Sequence, residues 1–485
     1  MKKIAKRVSL LDFVVLGTIL IVALSARLYK INTPLADLHS WRQVDTAAVS
    51  RNFVKTGFDL LHPRYDDLSS IQTGIENPNG YRMVEFPFYN AVVAIISLPI
   101  PWVPIEVVGR AVTAFFSLII IAVLYALVRQ SQNTLTAGAV GLVYAIFPFF
   151  VFMSRTVLPE TTALMCACVA IYLLSYSQNH RHGFLLTILG GVFFALGMLV
   201  KPMIGFYLLP CAVILFQKHS FSFWKRPSVY LFFLISLIPF GLWRMYIANY
   251  PEGIPASSWL FAYVNTFEGQ KNILFKPAFF RWIFFERIGL LMFGGLSAGI
   301  AFLGLVQKKS FILHSVILAS FIYLFTFQGG NVQHEYYQTI AFPGLAIAAG
   351  FGFSMLLQKD ISKFLIHPIL RYPLVGLILI LSIAFSYYRV KDYYGYPQDL
   401  VSLAQVIKTL TKPTDKIVVD RIGDTTLLYL ADRKGSPAPY KSLPEFKKDG
   451  YRFFVTQKKE VVEQIKKETD FRVVFENTEF AIIQL

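Results

Sequence analysis

"FPFYNAVVAIISLPIP", residues 86–101, is the stretch on which the architecture of this chain turns, because counting it as a membrane span reverses the side of every loop that follows. It is apolar but only about 16 residues long, carries Pro87, Asn90 and Pro99, and runs into the proline-broken "PIPWVPIE". A helix that crosses the hydrocarbon core needs about 20 apolar residues, and internal prolines break its hydrogen-bond ladder. The segment therefore reads as an interfacial or re-entrant helix.

The rest of the chain makes that choice matter. Its 485 residues are 55% hydrophobic and 16% aromatic, with only 15% charged and a mean hydropathy of +0.53, which excludes a soluble protein of several domains. Eleven further apolar runs begin near Leu10, Val107, Leu135, Pro159, Phe184, Pro202, Val229, Ile288, Phe311, Tyr336 and Tyr372. The first, from Leu10 to Ala26, has basic flanks like a signal peptide, but Ser25-Ala26-Arg27 is a weak cleavage signal and the run reads as an uncleaved span. The formal charge of +17 does not point to nucleic acid, because the basic residues cluster at the ends of apolar runs. Cys166, Cys168 and Cys211 lie inside apolar runs and read as packing residues.

Lysine and arginine near span ends accumulate on the cytoplasmic side. With Lys2, Lys3, Lys6 and Arg7 inside and segment 86–101 excluded, the inner loops carry Arg129; Arg181; Lys218, Lys225 and Arg226; Lys308 and Lys309; then Lys359, Lys363 and Arg371. The expectation is eleven spans in a transmembrane region of residues 1–390, with the N-terminus in the cytoplasm and residues 391–485 outside. The outer face then receives the first loop at about 28–106, the turn "SRTVLPETT" at 154–162, the loop at about 248–287, Lys201 in "MLVKPMIG", and "QGGNVQHEYYQ" at 328–338.

Beyond Tyr388 the pattern changes. "DKIVVD", "YRFFVTQ", "FRVVFE" and "FAIIQL" read as short strands, while "DTTLLYLADRKG", "LPEFKKDG" and "KEVVEQIKKETD" read as helices or turns. This is a small α/β domain without a glycine-rich nucleotide fingerprint.

Charged residues at the outer membrane boundary are the candidates for chemistry. In "HSWRQVDTAAVSRNF" (39–53), Arg42 and Asp45 share one helical face beside apolar Val44, Ala47, Ala48 and Val49, which reads as an amphipathic helix; the plain alternative is a helix whose charges meet lipid headgroups. Glu85 stands at the edge of the short apolar segment, solvated, paired with Arg82, or functional. Arg155 and Glu160 sit at the mouth of two spans, where a weak local ion pair is the plain alternative. Lys201 either snorkels or meets an anion. His334 with Glu335 is either a satisfied surface pair or a phosphate or metal site.

In the order "WRQVDTAAVSRNF", "VEFPFYNAV", "SRTVLPETTALM", "LVKPMIGFYLLP" and "HEYYQTIAFPGLAIAAG", the first 350 residues or so resemble the GT-C superfamily of membrane glycosyltransferases. The branch in question is that of the dolichyl-phosphate-mannose protein mannosyltransferases and lipid A aminoarabinose transferases. The tail resembles the outer α/β domain of such enzymes. The resemblance implies a polyprenyl-phosphate sugar donor and an inverting, single-displacement transfer on the outer face of the cytoplasmic membrane. The acceptor is a protein, a glycolipid or a cell-wall polymer. It implies Asp45 as the base, with Asp37 as its rival, and Glu85 as a group that orients the acceptor or a metal. Glu160 matches a second acidic position, with Glu335 beside it in the orienting role. Arg155, Lys201, His334 and Arg42 would hold the donor phosphate. A divalent metal is a possible cofactor, with Asp45, Glu85 and His334 as its candidate ligands. Two departures are visible: Arg42-Gln43 precede Asp45 where relatives often carry an acidic pair, and Phe86 stands where some carry a lysine. The rival readings are a polymerase or ligase that uses a pyrophosphate-linked glycan, a lipid or ion transporter, and a non-catalytic scaffold. The transporter would place ionisable groups mid-span and show internal repeats.

Overall fold

The segment that decides the topology forms a helix of ten residues, Phe88–Ser97. At 1.5 Å per residue it rises about 15 Å, half the hydrocarbon thickness. The computed structural model describes residues 9–177, 180–255, 273–274, 276–307, 310–358, 368–468 and 470–485. Of the basic residues that set the expected orientation, Lys2, Lys3, Lys6, Arg7, Lys308, Lys309, Lys359 and Lys363 lie outside the described residues, as do residues 256–272 and 275 of the loop at 248–287. The chain falls into two compact units, one of residues 1–31, 110–243 and 258–392, the other of residues 32–109, 244–257 and 393–485.

Among the described residues, eight helices are long and apolar enough to cross a membrane, nine if the bent pair Pro277–Met292 and Leu296–Gly304 is one span. Thr134–Ile146 and Phe311–Thr326 are shorter apolar helices at two more of the expected positions. Two breaks in the first unit have identifiable causes. The 111° bend of the pair falls at Gly294 and Gly295, whose φ values of +58° and +79° belong to the left-handed region. A Cβ on Gly294 would lie 1.9 Å from the Ser382 carbonyl oxygen, so the turn and the close approach both require glycine.

The second break separates Thr134–Ile146 from Pro148–Met153. Pro148 has no N–H to offer the Tyr144 carbonyl four residues back. Arg27 fills the gap. It is fully buried, and its guanidinium donates to the carbonyls of Tyr144 (3.1 Å), Ala145 (3.1 Å) and Ala23 (3.0 Å) and to Ser154 Oγ (2.9 Å). In the same unit Asp12 accepts from Arg129, Tyr125 and Thr134.

The second unit holds a five-stranded sheet: β1 (Lys416–Val419), β2 (Gly435–Ser436), β3 (Tyr451–Thr456), β4 (Arg472–Glu476) and β5 (Ala481–Gln484), in the order β2-β1-β3-β5-β4. β1 runs parallel to β2 and β3, while β5 is antiparallel to β3 and β4. Alternation divides the strands between two cores. Ile417, Val419, Val455 and Ile482 pack with Leu403 and Ile407 of the helix Gln398–Leu410. Val418, Phe454 and Ile483 pack on the opposite face with Phe446, Val462 and Ile465.

The first loop joins this sheet. Gly435 donates to the Asp66 carbonyl (2.9 Å) and accepts from Leu68 N (2.7 Å), so residues 66–68 extend the sheet beside β2. Arg51 ties the same segment down: it pairs with Asp66 and Asp432, donates to the Tyr429 carbonyl (2.8 Å) and stacks on the Tyr429 ring.

Candidate active site

The helix Ser40–Thr56 carries the candidate base, and its polar face is covered as well as its apolar one: Arg42, Gln43, Asp45, Thr46, Ser50 and Asn52 are all buried. Asn90 of the short helix Phe88–Ser97 donates to the Thr46 carbonyl (2.6 Å), fixing the two helices together. Asp45 is 1% exposed. Its Oδ1 accepts from Thr425 Oγ at 2.6 Å, and its Oδ2 lies 3.1 Å from Arg82 Nη2, an ion pair without hydrogen-bond alignment. Burial pushes the Asp45 carboxyl above the ordinary carboxylate range, against the opposing pull of Arg82, Thr425 and Arg42.

Around this carboxylate the first loop builds a second ring. Arg82 stacks on Tyr65 and donates to Gln72 (2.9 Å). Asp67 accepts from the Ser69 amide (2.8 Å) and hydroxyl (2.6 Å), and burial raises its carboxyl to about 7, the nearby Asp45 charge adding to the effect. Glu85 pairs with Arg42. The two arginines are thus shared crosswise: Arg82 faces Asp45 and Arg42 takes Glu85. Asp37, the rival base, accepts from Gln43 Nε2 at 2.7 Å.

In the other unit Glu160, at the start of the helix Glu160–Ser177, forms a buried ion pair with Lys201 at 2.8 Å. Lys201 ends the helix Gly183–Val200 and begins the 3-10 turn Pro202–Tyr207, so a break between two elements sets its position. Arg155 is buried and donates to the Lys30 carbonyl (3.1 Å). Glu335 pairs with Arg287, and His334 stacks against Tyr336 and Tyr337. Tyr323 donates to the Tyr337 carbonyl (2.9 Å) and lies within electrostatic reach of Glu160.

A metal is poorly matched by these groups. Among the described residues no three His, Cys, Asp or Glu side chains come together to hold one, and the two candidate first-loop ligands, Asp45 and Glu85, face guanidinium groups. A divalent ion there would meet positive charge where it needs oxygen donors. No step is assigned to one.

The sequence assigns no role to Thr425 or Arg287, marks Tyr65 and Asp67 only as part of an acidic stretch, and offers Arg82 only as a partner for Glu85. "YDDL" at 65–68 was a visible acidic signal in the first loop. Thr425 had no signal, being one threonine of the tail.

The family model for dolichyl-phosphate-mannose-protein mannosyltransferase matches residues 103–244, the stretch that includes Arg155, Glu160 and Lys201. Over nearly its whole length the chain is similar to ArnT from Cupriavidus metallidurans, solved bound to undecaprenyl phosphate. The TM-score is 0.68 at 14% identity, covering 98% of each chain. The chain has the GT-C fold. Two more structures of the GT-C fold are similar. The archaeal oligosaccharyltransferase AglB from Archaeoglobus fulgidus, solved with an inhibitory peptide and a dolichol-phosphate, has a TM-score of 0.55 at 11% identity, covering 94% of this chain and 70% of that one. The arabinofuranosyltransferase AftD from Mycobacteria has a TM-score of 0.50 at 12% identity, covering 91% of this chain and 35% of that one. No curated protein sequence matches the chain. A shared GT-C fold leaves the reaction to be argued from the residues.

Proposed function

We propose that this chain is an inverting glycosyltransferase that moves a sugar from a polyprenyl-phosphate donor to an acceptor hydroxyl on the outer face of the cytoplasmic membrane. The observation that carries the reading is Asp45: a buried carboxylate held by one hydroxyl and one guanidinium, on the first loop of a GT-C fold. Whole-length similarity to a protein solved with undecaprenyl phosphate supports a lipid-phosphate donor.

In this reading Asp45 takes the proton of the acceptor hydroxyl as its oxygen attacks the anomeric carbon. The bond from that carbon to the phosphate oxygen breaks in the same displacement, which inverts the configuration. The polyprenyl phosphate leaves with the electron pair. Lys201, held by Glu160, is assigned to that phosphate together with Arg155 and His334, because cations stabilise the charge that develops on it. Glu85, fixed by Arg42, orients the acceptor, and Glu335, fixed by Arg287, keeps the His334 turn in place. Partners are the lipid donor, an envelope acceptor and the bilayer.

The test is transfer of radiolabelled sugar from a panel of polyprenyl-monophosphate sugars to membrane acceptors, comparing wild type with Asp45→Asn and Glu85→Gln at equal folded yield. Loss of transfer in Asp45→Asn is expected. Full transfer by that variant would move the base to Asp37 or Glu85, and wild type inactive with every monophosphate donor would overturn the reaction class in favour of a pyrophosphate-linked donor or a transport role.

A further inference from the structure

Thr425 lies in the C-terminal domain, just before the helix Thr426–Ala431, yet its hydroxyl ends on the carboxylate assigned to proton abstraction. It follows β1, the strand that is parallel to a neighbour on each side, with β2 and β3 reached in opposite directions. In open α/β sheets the loops at the carboxyl end of such a strand are where ligands are met. Here that loop presents a side chain to the helix Ser40–Thr56. Thr425 Oγ donates to Asp45 Oδ1 at 2.6 Å, and Thr426 Oγ lies 3.0 Å from Ser40 Oγ.

The loop is built for this placement. Ile422 has φ +53°, a left-handed conformation that β-branched residues rarely adopt, and its side chain is 90% exposed, so burial of that side chain is not what holds it there. Gly423 follows at φ +90°. The amides of Arg421 and Gly423 both donate to the Pro437 carbonyl (3.1 and 3.2 Å), and Asp424 Oδ1 accepts from Thr426 N at 2.8 Å. Each contact fixes the turn just before or after Thr425.

We infer that Thr425 is a positioning residue for Asp45, and that the C-terminal sheet is thereby part of the transfer machinery. The inference rests on Asp45 acting as the base. A hydroxyl donating to one carboxylate oxygen fixes the plane of the group and leaves the other oxygen to accept the proton. The charged and titratable groups around Asp45 are Arg82, Arg42, Asp66, Asp67 and Tyr65. Replacing Thr425 changes none of their charges, so its removal isolates the hydrogen bond.

The experiment compares Thr425→Val, which keeps the shape and loses the hydroxyl, with Thr425→Ser, which keeps the hydroxyl. Both are assayed for kcat and KM of transfer, with the stoichiometry of polyprenyl phosphate binding used to count folded sites. Thr425→Val should lower kcat per folded site about 10- to 100-fold, the range of one hydrogen bond to a charged group, with KM for the donor unchanged. Thr425→Ser should run close to wild type. Wild-type kcat in the valine variant, a serine variant no better than valine, or loss of donor binding together with kcat would each overturn the inference. If Asp45→Asn is fully active, or wild type transfers from no donor, it is the proposed function that fails.

Discussion

Replacing Arg82 by glutamine removes the cation that faces Asp45 and leaves a buried carboxylate without its countercharge. Removing one partner of a buried pair typically costs about 3–5 kcal/mol. The lower end applies here, because Thr425 still donates to Asp45 Oδ1 and glutamine retains two donors of its own. For a unit of roughly 150–250 residues, about 3 kcal/mol corresponds to a fall of about 6–12 °C in Tm. The sign of the pH dependence follows from burial. The folded chain holds the Asp45 proton to higher pH than the unfolded chain does, so ionising this group costs stability as pH rises above the ordinary carboxylate value. Arg82 offsets that cost, and without it the penalty grows. Thermal unfolding in detergent should therefore show Arg82→Gln most destabilised at pH 8 and recovering toward wild type at pH 5. Asp45→Asn combined with Arg82→Gln should lose the extra pH dependence that Arg82→Gln adds, keeping only the slope from other groups such as Asp67, and should be more stable than Arg82→Gln alone at pH 8. An equal loss at both pH values that Asp45→Asn does not relieve would refute the pairing as the source of the effect.

Lys201→Met should weaken binding of polyprenyl phosphate about 10- to 100-fold by the loss of one charge-assisted contact, read as a Kd in detergent or nanodiscs; an unchanged Kd would remove Lys201 from the phosphate site. Arg27→Met strips donors from the Tyr144 and Ala145 carbonyls, at about 1–3 kcal/mol for each group left unsatisfied, and Arg27→Lys should not restore it because an ammonium cannot reproduce the planar fork. Monodisperse folded yield by size exclusion checks both variants. Transfer should persist in excess EDTA, since the candidate ligands Asp45 and Glu85 are matched to guanidinium groups; abolition that zinc or magnesium reverses would show a metal the donor set does not account for.

The helices and most strands were legible in sequence because they rest on local pattern. Runs of apolar residues mark the long helices, and Ile417, Val418 and Val419 or Phe453, Phe454 and Val455 are β-formers bounded by turn residues. β2 was not legible, since two residues, Gly435 and Ser436, carry no periodicity and owe their place to neighbours on both sides. The helix Gln398–Leu410 went unread beside stronger strand signals. In the site, residue types were readable and partners were not. Arg82 is three residues from Glu85 and was the natural local match, yet tertiary packing gives Glu85 to Arg42 and Arg82 to Asp45. Arg27 looked like the basic flank of a first span, while its role at Pro148 depends on a helix break more than a hundred residues away.

The pairing of the first loop with the sheet sets a schedule for synthesis. Arg51 and its acceptor carbonyl at Tyr429 are 378 residues apart, and at 5–20 residues per second the ribosome needs roughly 20–75 s to make the chain between them. For that time Asp66 to Leu68 have no β2 to pair with, and the Asp45 carboxylate has no Thr425. The loop can form its own Arg42–Glu85 and Arg82–Asp45 pairs, but its edge at Asp66 to Leu68 must wait until the last fifth of the protein is made. A chain terminated before β1 would carry every long apolar helix among the described residues and still lack a finished first loop.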